Sequence, residues 1–247
     1  MAEQAVIRHA RREGKIRSIP SNYQFLKLHI FLSPFLPSPP LPNPNHNPTA
    51  NPPTNPSSPP PDVPGILTLI HELAAYEHES ASVLATPSSL SKTIAFAPSP
   101  LVSPSNTTPS TGDSISPTRP ARCLLLFPPS PPSSSSSSSS PQSPEPIGMA
   151  LYFYNYSTWR ASAGIYLEDL YVRDSERGKG YGSRLLSVLA KEVVDMEGGR
   201  LEWSVLKWNE PSIKFYEGKS VGAKAMDGWQ TMRVDGEALV KLAGRAE

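Results

Sequence analysis

Cysteine is almost absent from this chain of 247 residues, which contains only Cys123. A single cysteine excludes an intramolecular disulfide and any cysteine-rich metal site, so we expect no metal. Cys123 lies in the apolar run CLLLF and is therefore interpreted as a buried strand residue, not as a nucleophile. Such a free thiol is typical of a reducing compartment, and we predict a cytoplasmic location.

The chain also lacks a charge excess of either sign, because its formal net charge is only +1. This balance gives no electrostatic reason to expect nucleic acid or an anionic membrane as a partner. The apolar stretch 25–36 is too short to cross a bilayer and contains Lys27, His29 and Pro34. The first residues, which include Glu3 and Glu13, do not resemble a signal or transit peptide.

Proline is scarce outside two stretches: 14 of the 30 prolines lie in residues 14–61 and 13 lie in residues 98–146. The first stretch is dominated by Pro, Asn and Ser, and the second contains eight consecutive serines. Both lack the apolar content that offsets chain entropy, so we predict two disordered low-complexity insertions in one folded domain. Joining residue 13 to residue 62 would restore a direct strand-to-helix connection, and a retained intron translated in frame is our hypothesis for this insertion.

The remaining residues alternate between strand and helix patterns. We predict strands at residues 5–9, 122–127, 147–156, 165–172, 201–206 and 229–234, and helices at residues 62–79, 88–95, 185–194 and 211–217. This order favours an α/β (α+β) fold in which a mixed, mostly antiparallel sheet carries helices on both faces. The predicted segments are 1–13 (first strand), 14–61 (insertion), 62–97 (helical part), 98–120 (disordered linker) and 121–247 (core, with a disordered Pro/Ser loop at 128–146).

Residues 177–182 read RGKGYG, between the strand 165–172 and the helix that follows. Glycines let a backbone approach a ligand closely, and a helix N-terminus presents unpaired N–H groups and a positive dipole end. This placement predicts a pyrophosphate cradle. The spacing fits neither a P-loop nor the dinucleotide fingerprint, which has a glycine where this chain has Ser183.

The pattern resembles the R-G-x-G-x-G loop of the GCN5-related N-acetyltransferase (GNAT) superfamily. The runs YLEDLYV (166–172), WNEPSIKFYE (208–217) and DVPGILTLIHELAAYE (62–77) resemble the diamine branch, the spermidine/spermine and thialysine N-acetyltransferases. The resemblance implies the GNAT fold, acetyl-coenzyme A as cosubstrate, a homodimer, and acetyl transfer through a tetrahedral intermediate to a small diamine, polyamine or thialysine-like amine.

The same resemblance implies roles for individual residues. Glu168 would take the proton of the amine or anchor a cation, and Tyr216 would protonate the departing thiolate, for which a neutral phenol is suited. The cofactor set is Leu170, Tyr171, Val172, Arg177, Gly178, Lys179, Gly180, Tyr181, Gly182, Ser183, Asn209, Glu210, Pro211 and Ser212. The substrate set is Tyr76, Glu77, Glu202, Trp203, Ser204 and Asp227.

Two alternatives remain open from the sequence. Acetylation of a protein N-terminus or lysine would require an open peptide groove, and a catalytically impaired form would use its Pro/Ser tracts to bind partners. The chain departs from the family in its long insertion and in the link 217–221, which is two residues longer and weakens the register of Tyr216.

Overall fold

The structure, a computed structural model, describes residues 5–11, 62–97, 112–129 and 144–246. Within these ranges the chain divides into two compact units, Met1–Trp203 and Ser204–Glu247. Across the described ranges, no helix is both long enough and apolar enough to cross a membrane.

A five-stranded sheet organises the first unit. Its strands are β1 (Val6–His9), β2 (Arg122–Phe127), β3 (Gly148–Ser157), β4 (Ser162–Val172) and β5 (Leu201–Trp203). They lie in the order β1-β2-β3-β4-β5, antiparallel up to β4, whereas β5 runs parallel to β4. The predicted mixed, mostly antiparallel sheet is therefore confirmed.

Three helices of this unit cover the two faces of the sheet: α1 (Asp62–Tyr76), α2 (Pro87–Thr93) and α3 (Tyr181–Asp195). The helices α1 and α2 share a core with alternate residues of β2, such as Cys123 and Leu125. The intervening side chains point to the opposite face, where α3 packs with Leu185 and Leu189 fully buried. Helices on both faces are thus confirmed.

The residues that follow β1 lie next to the start of α1. The Asp62 carboxylate accepts a hydrogen bond from the Arg11 main-chain N–H at 2.6 Å and binds the Arg8 guanidinium at 2.7 and 2.9 Å. Residues 12–61, which include the predicted insertion, lie outside the described residues. The two residues that flank this segment, Arg11 and Asp62, are nevertheless in direct contact.

The structure describes the last nine residues, 112–120, of the predicted disordered linker 98–120. Residues 98–111 lie outside the described ranges, and the described chain resumes at Gly112. The Asp113 N–H donates to the Phe96 carbonyl at 2.8 Å, and the Arg119 Nε donates to the Lys92 carbonyl at 3.1 Å. These contacts tie residues 112–120 to the end of α2, so this part of the linker prediction was wrong. Residues 130–143 of the predicted Pro/Ser loop also lie outside the described ranges.

The second unit contains α4 (Glu210–Glu217) and α5 (Gly236–Ala243). The predicted strand at 229–234 is wrong, because this segment has no regular structure and its side chains are exposed. Its residues have strand propensity, but a strand also needs a partner for its N–H and C=O groups. The helix α5 was missed, although Glu237 in its first turn and Lys241 in its last are helix signals.

Candidate active site

The glycine loop has the geometry of an open cradle. Gly178 and Gly180 have φ angles of +75° and +78°, which glycine adopts without steric cost, and a Cβ at either position would meet no atom within 4 Å. Tyr181 begins α3 directly after Gly180, so Gly182 and Ser183 lie in its first turn. The first N–H groups of α3 have no intrahelical acceptor and remain available to an anion.

The two cations of this loop are already paired within it. Arg177 contacts the Asp174 carboxylate at 2.8 Å, and Lys179 contacts Glu176 at 2.8 Å, with a hydrogen bond that raises the pKa of the lysine. The loop therefore offers little uncompensated side-chain charge. Main-chain N–H groups and the helix dipole are its principal attraction for a phosphate.

A β-bulge lies at Glu168 in β4. Leu151 faces Asp169 across the β3–β4 ladder and Tyr152 faces Leu167, so Glu168 has no residue opposite it. A bulge redirects a side chain and increases local twist. The Glu168 side chain is exposed.

Beyond the bulge, β4 is paired on one side only within the described sheet. Its pairing with β5 covers Ile165, Tyr166 and Leu167 and stops there, while the pairing with β3 continues to Val172. The predicted cofactor residues Leu170, Tyr171 and Val172 form this half-open edge. Backbone groups that point away from β3 are placed to pair with an extended ligand.

Acids and aromatic rings gather where α1 ends beside β4. Burial, followed by the nearby Glu168 and Glu77 carboxylates, raises the pKa of Asp169 to about 6. Burial also raises the pKa of Glu77, with Glu79 adding to the effect. The substrate candidates Tyr76 and Glu77 therefore come together with the β4 end.

Asp169 was not among the predicted site residues, which favoured its neighbour Glu168. Alternation along a strand showed that the two carboxylates differ in direction, but it could not show which face a helix covers. The bulge was also not predicted, because no single residue in this run marks it. The signal available in the sequence was the adjacent acid pair itself.

The predicted substrate residue Glu202 lies at another point of the sheet. It faces Tyr166 across the β4–β5 pair, and its carboxylate binds Arg200 Nε at 3.0 Å and accepts from Asn155 Nδ2 at 2.7 Å. Trp203 faces Leu167 and is thus next to the bulge. Of these two candidates, Trp203 is the closer along the ladder to Glu168.

In the second unit, the Asn209 side chain caps α4 by accepting from the Ser212 N–H at 3.3 Å, with Glu210 and Pro211 in the first turn. Tyr216 lies in the last turn of α4, where its ring centroid is 5.2 Å from that of Phe215. The longer link after α4 folds as a turn in which Gly222 has a φ of +71° and donates to the Gly218 carbonyl. Ser204 and Asp227 are exposed.

No three His, Cys, Asp or Glu side chains in the described part of the chain cluster so as to hold a metal ion. The site consists instead of a glycine cradle, a half-open strand and a group of acids.

Comparison with known proteins identifies the class to which this fold and site belong. The acetyltransferase (GNAT) family matches residues 127–222. An L-ornithine N5-acetyltransferase of Arabidopsis thaliana, NATA1, is 34% identical over 191 residues, which cover 72% of this chain and 82% of that protein. The chain belongs to the acetyltransferase (GNAT) family.

Other similarities cover less of the relatives or are weaker. A thialysine N-epsilon-acetyltransferase of Bos taurus is 39% identical over 108 residues, which span 42% of this chain and 62% of that enzyme. An integron cassette protein from the mobile metagenome of V. cholerae has a TM-score of 0.49 and 23% identity over 72% of this chain and 90% of that structure.

Proposed function

We propose that the protein is an N-acetyltransferase that moves an acetyl group from acetyl-coenzyme A to a primary amine of a small cationic molecule. The observation that carries this proposal is the bulge at Glu168, which directly follows the last residue of β4 that pairs with β5 and precedes the half-open strand edge that runs toward the glycine loop. A thioester carrier needs both an extended groove for its arm and a site for its diphosphate.

The residues present fit coenzyme A. The open space above Gly178 and Gly180 suits a diphosphate, which the N–H groups of Lys179, Tyr181 and the first turn of α3 would hold. Residues 170–172 of the half-open edge would pair with the pantetheine arm. Residues 209–212, which cap and begin α4, are proposed to contact the cofactor as the family resemblance implies.

In the proposed reaction, the amine nitrogen attacks the thioester carbon and forms an N–C bond in a tetrahedral intermediate, which then expels the thiolate as its C–S bond breaks. Glu168 accepts the proton of the amine directly or through water, and Tyr216 gives its proton to the departing thiolate. A main-chain N–H of the open β4 edge would stabilise the oxyanion of the tetrahedral intermediate. Each of these roles is a proposal.

The acids around the end of α1 support a cationic acceptor. The carboxylates of Glu168 and Glu77 lie close enough to Asp169 to add to the burial that raises the pKa of Asp169. A positively charged amine would lower the energy of such a cluster. The names of the relatives, which include L-ornithine and thialysine, agree with an amine on a short aliphatic chain.

Release of coenzyme A should be measured with ornithine, thialysine, spermidine and a lysine peptide in parallel. We expect turnover with at least one of the small amines and much less with the peptide. Turnover with the peptide alone would overturn the assignment to small amines, and failure to bind coenzyme A would overturn the enzyme assignment itself.

Tyr216→Phe tests the proposed acid. Loss of the phenol proton should lower kcat by about 10²-fold or more, as expected for a general acid, with the Kd of coenzyme A nearly unchanged. Tyr156→Phe is the matched control, since Tyr156 is 61% exposed on the hairpin end of β3. An unchanged kcat in Tyr216→Phe would remove this residue from the mechanism.

A further inference from the structure

Two arginines that follow β4 contact adjacent turns of α1. Arg173 binds the Glu72 carboxylate, with Nε–O distances of 3.0 and 3.1 Å and an NH2–O distance of 2.9 Å. Arg177 stacks on Tyr76, with its Cζ 4.7 Å from the ring centroid. Glu72 and Tyr76 are four residues apart and therefore lie on the same face of α1. We call these four residues the strand-end clamp.

The Arg177 side chain is 41% exposed and contacts protein groups on several sides. Its Nε donates to the Val172 carbonyl at 3.0 Å, its NH2 group pairs with Asp174, and its Cζ is 5.8 Å from the Tyr171 ring centroid. A planar guanidinium can stack and donate in this way, whereas a lysine ammonium cannot reproduce both contacts.

The end of α1 contains a residue with a strained backbone. The helix stops at Tyr76, and His78 then adopts a left-handed conformation with a φ of +63°, which a residue with a Cβ adopts at some cost. The acid Glu77 lies between these two residues and acts on Asp169. Movement of the helix end would therefore change the spacing of the two acids.

We propose that Arg177 is a positioning residue that holds Tyr76 and the end of α1 against β4. It thereby fixes the position of Glu77 relative to Asp169, the acids proposed to bind the acceptor amine. This inference rests on the proposed function for its catalytic consequence but not for the clamp itself. It differs from the expectation for the loop arginine, which assigned the side chain to the cofactor. In the clamp, Arg177 acts on amine binding through Tyr76 and has little effect on coenzyme A.

Hydrogen exchange of the full chain tests the clamp without any turnover. In Arg177→Lys, amides in the last turn of α1 and through residue 79 should exchange at least tenfold faster than in the wild type. Amides of the first turn of α1 should be unchanged. Arg160→Lys is the control, because Arg160 donates to the Gly199 carbonyl near the opposite end of β4 and also loses a guanidinium–carbonyl bond. Equal exchange in Arg177→Lys and the wild type would overturn the clamp.

A charge-neutral pair of substitutions distinguishes the role of Arg177 in the clamp from a direct contact of Arg177 with the diphosphate of coenzyme A. Arg177→Gln together with Asp174→Asn removes both members of one ion pair and leaves the net charge of the loop unchanged. We expect KM for the amine to rise about tenfold while the Kd of coenzyme A, measured by calorimetry, changes less than threefold. A tenfold increase in the Kd of coenzyme A with an unchanged KM for the amine would overturn the proposal and favour a phosphate contact.

A double-variant cycle connects Arg177 to Tyr76. If Arg177 acts through this ring, Arg177→Lys added to Tyr76→Leu should raise KM for the amine no further than Tyr76→Leu alone. Multiplicative effects on KM would contradict the coupling. Absence of turnover in the wild type with every amine would refute the proposed function, while the exchange experiment would still decide the clamp.

Discussion

Removal of residues 14–61, with Glu13 joined directly to Asp62, should leave the fold intact and make it more stable. The reason is a contact between residues on either side of the segment, where the Asp62 carboxylate accepts from the Arg11 N–H at 2.6 Å and binds Arg8. The connection that replaces the segment therefore spans only a short distance. Arg12 and Glu13 remain to form it.

The expected gain follows from loop closure. Arg11 and Asp62 are 51 residues apart in the natural chain and become 3 apart in the shortened one. Because closure entropy grows as about (3/2)RT ln n, the shorter loop lowers the cost of folding by about 2–3 kcal/mol at most, less any strain in the new turn. A gain of this size corresponds to a rise in Tm of roughly 5–10 °C for a domain of this size.

Thermal unfolding of the shortened protein and of the full chain measures this difference. A second full-length protein, with residues 14–61 replaced by a Gly/Ser segment of equal length, separates length from sequence and should melt within about 2 °C of the natural chain. In the shortened background, Asp62→Asn should lower Tm because it removes the ion pair with Arg8. Loss of cooperative unfolding, or a fall in Tm on deletion, would refute the reasoning and show that the segment belongs to the fold.

Three further perturbations test the site and its supports. Because the pKa of Asp169 is raised to about 6, the native state binds this proton more tightly than the unfolded state does, and the free energy of unfolding should fall as pH rises from about 4 to 6. In urea unfolding, Asp169→Asn should reduce this fall by up to about 3 kcal/mol, and an unchanged pH dependence would contradict the prediction. Gly180→Ala should lower stability by about 1–2 kcal/mol and raise the Kd of coenzyme A, measured by calorimetry, at least tenfold. The control Gly236→Ala, which is also at positive φ with open space around it, should lower stability without changing this Kd, and equal Kd values for the two variants would exclude the cradle. Tyr152→Phe removes the hydroxyl that donates to Glu192 at 2.8 Å, and it should lower the free energy of unfolding by about 1–3 kcal/mol in a denaturant titration. The exposed Tyr156→Phe should change this free energy by less than about 0.5 kcal/mol, and similar midpoints for the two variants would refute the contribution of the Tyr152–Glu192 hydrogen bond.

Strong periodicity made much of the fold predictable. The strand 122–127 was predicted at the bounds that the structure has, and α1 and α3 were found from apolar residues at helical spacing. These signals are local, because burial of one face determines which residues must be apolar. The segment 229–234 shows the limit of such signals, since strand propensity does not supply a pairing partner.

The glycine loop was also predictable from local order, because a strand, three glycines and a helix follow one another within a few residues. Whether its cations were free was not predictable. The pairing of Arg177 with Asp174 and of Lys179 with Glu176 depends on side-chain directions in a short turn. The same sequence would be consistent with both cations pointing at a phosphate.

The amino-acid sequence by itself determined the mixed sheet with helices on both faces, the place of the glycine cradle before α3, and the adjacent acids in β4. Only the tertiary structure decided that Glu168 lies at a bulge and is exposed while Asp169 is half-buried, and that Arg173 and Arg177 contact α1. The physical reason is range: periodicity reports neighbours a few residues apart, whereas the contact between Arg173 and Glu72 joins residues 101 positions apart and exists only once the helix lies on the sheet.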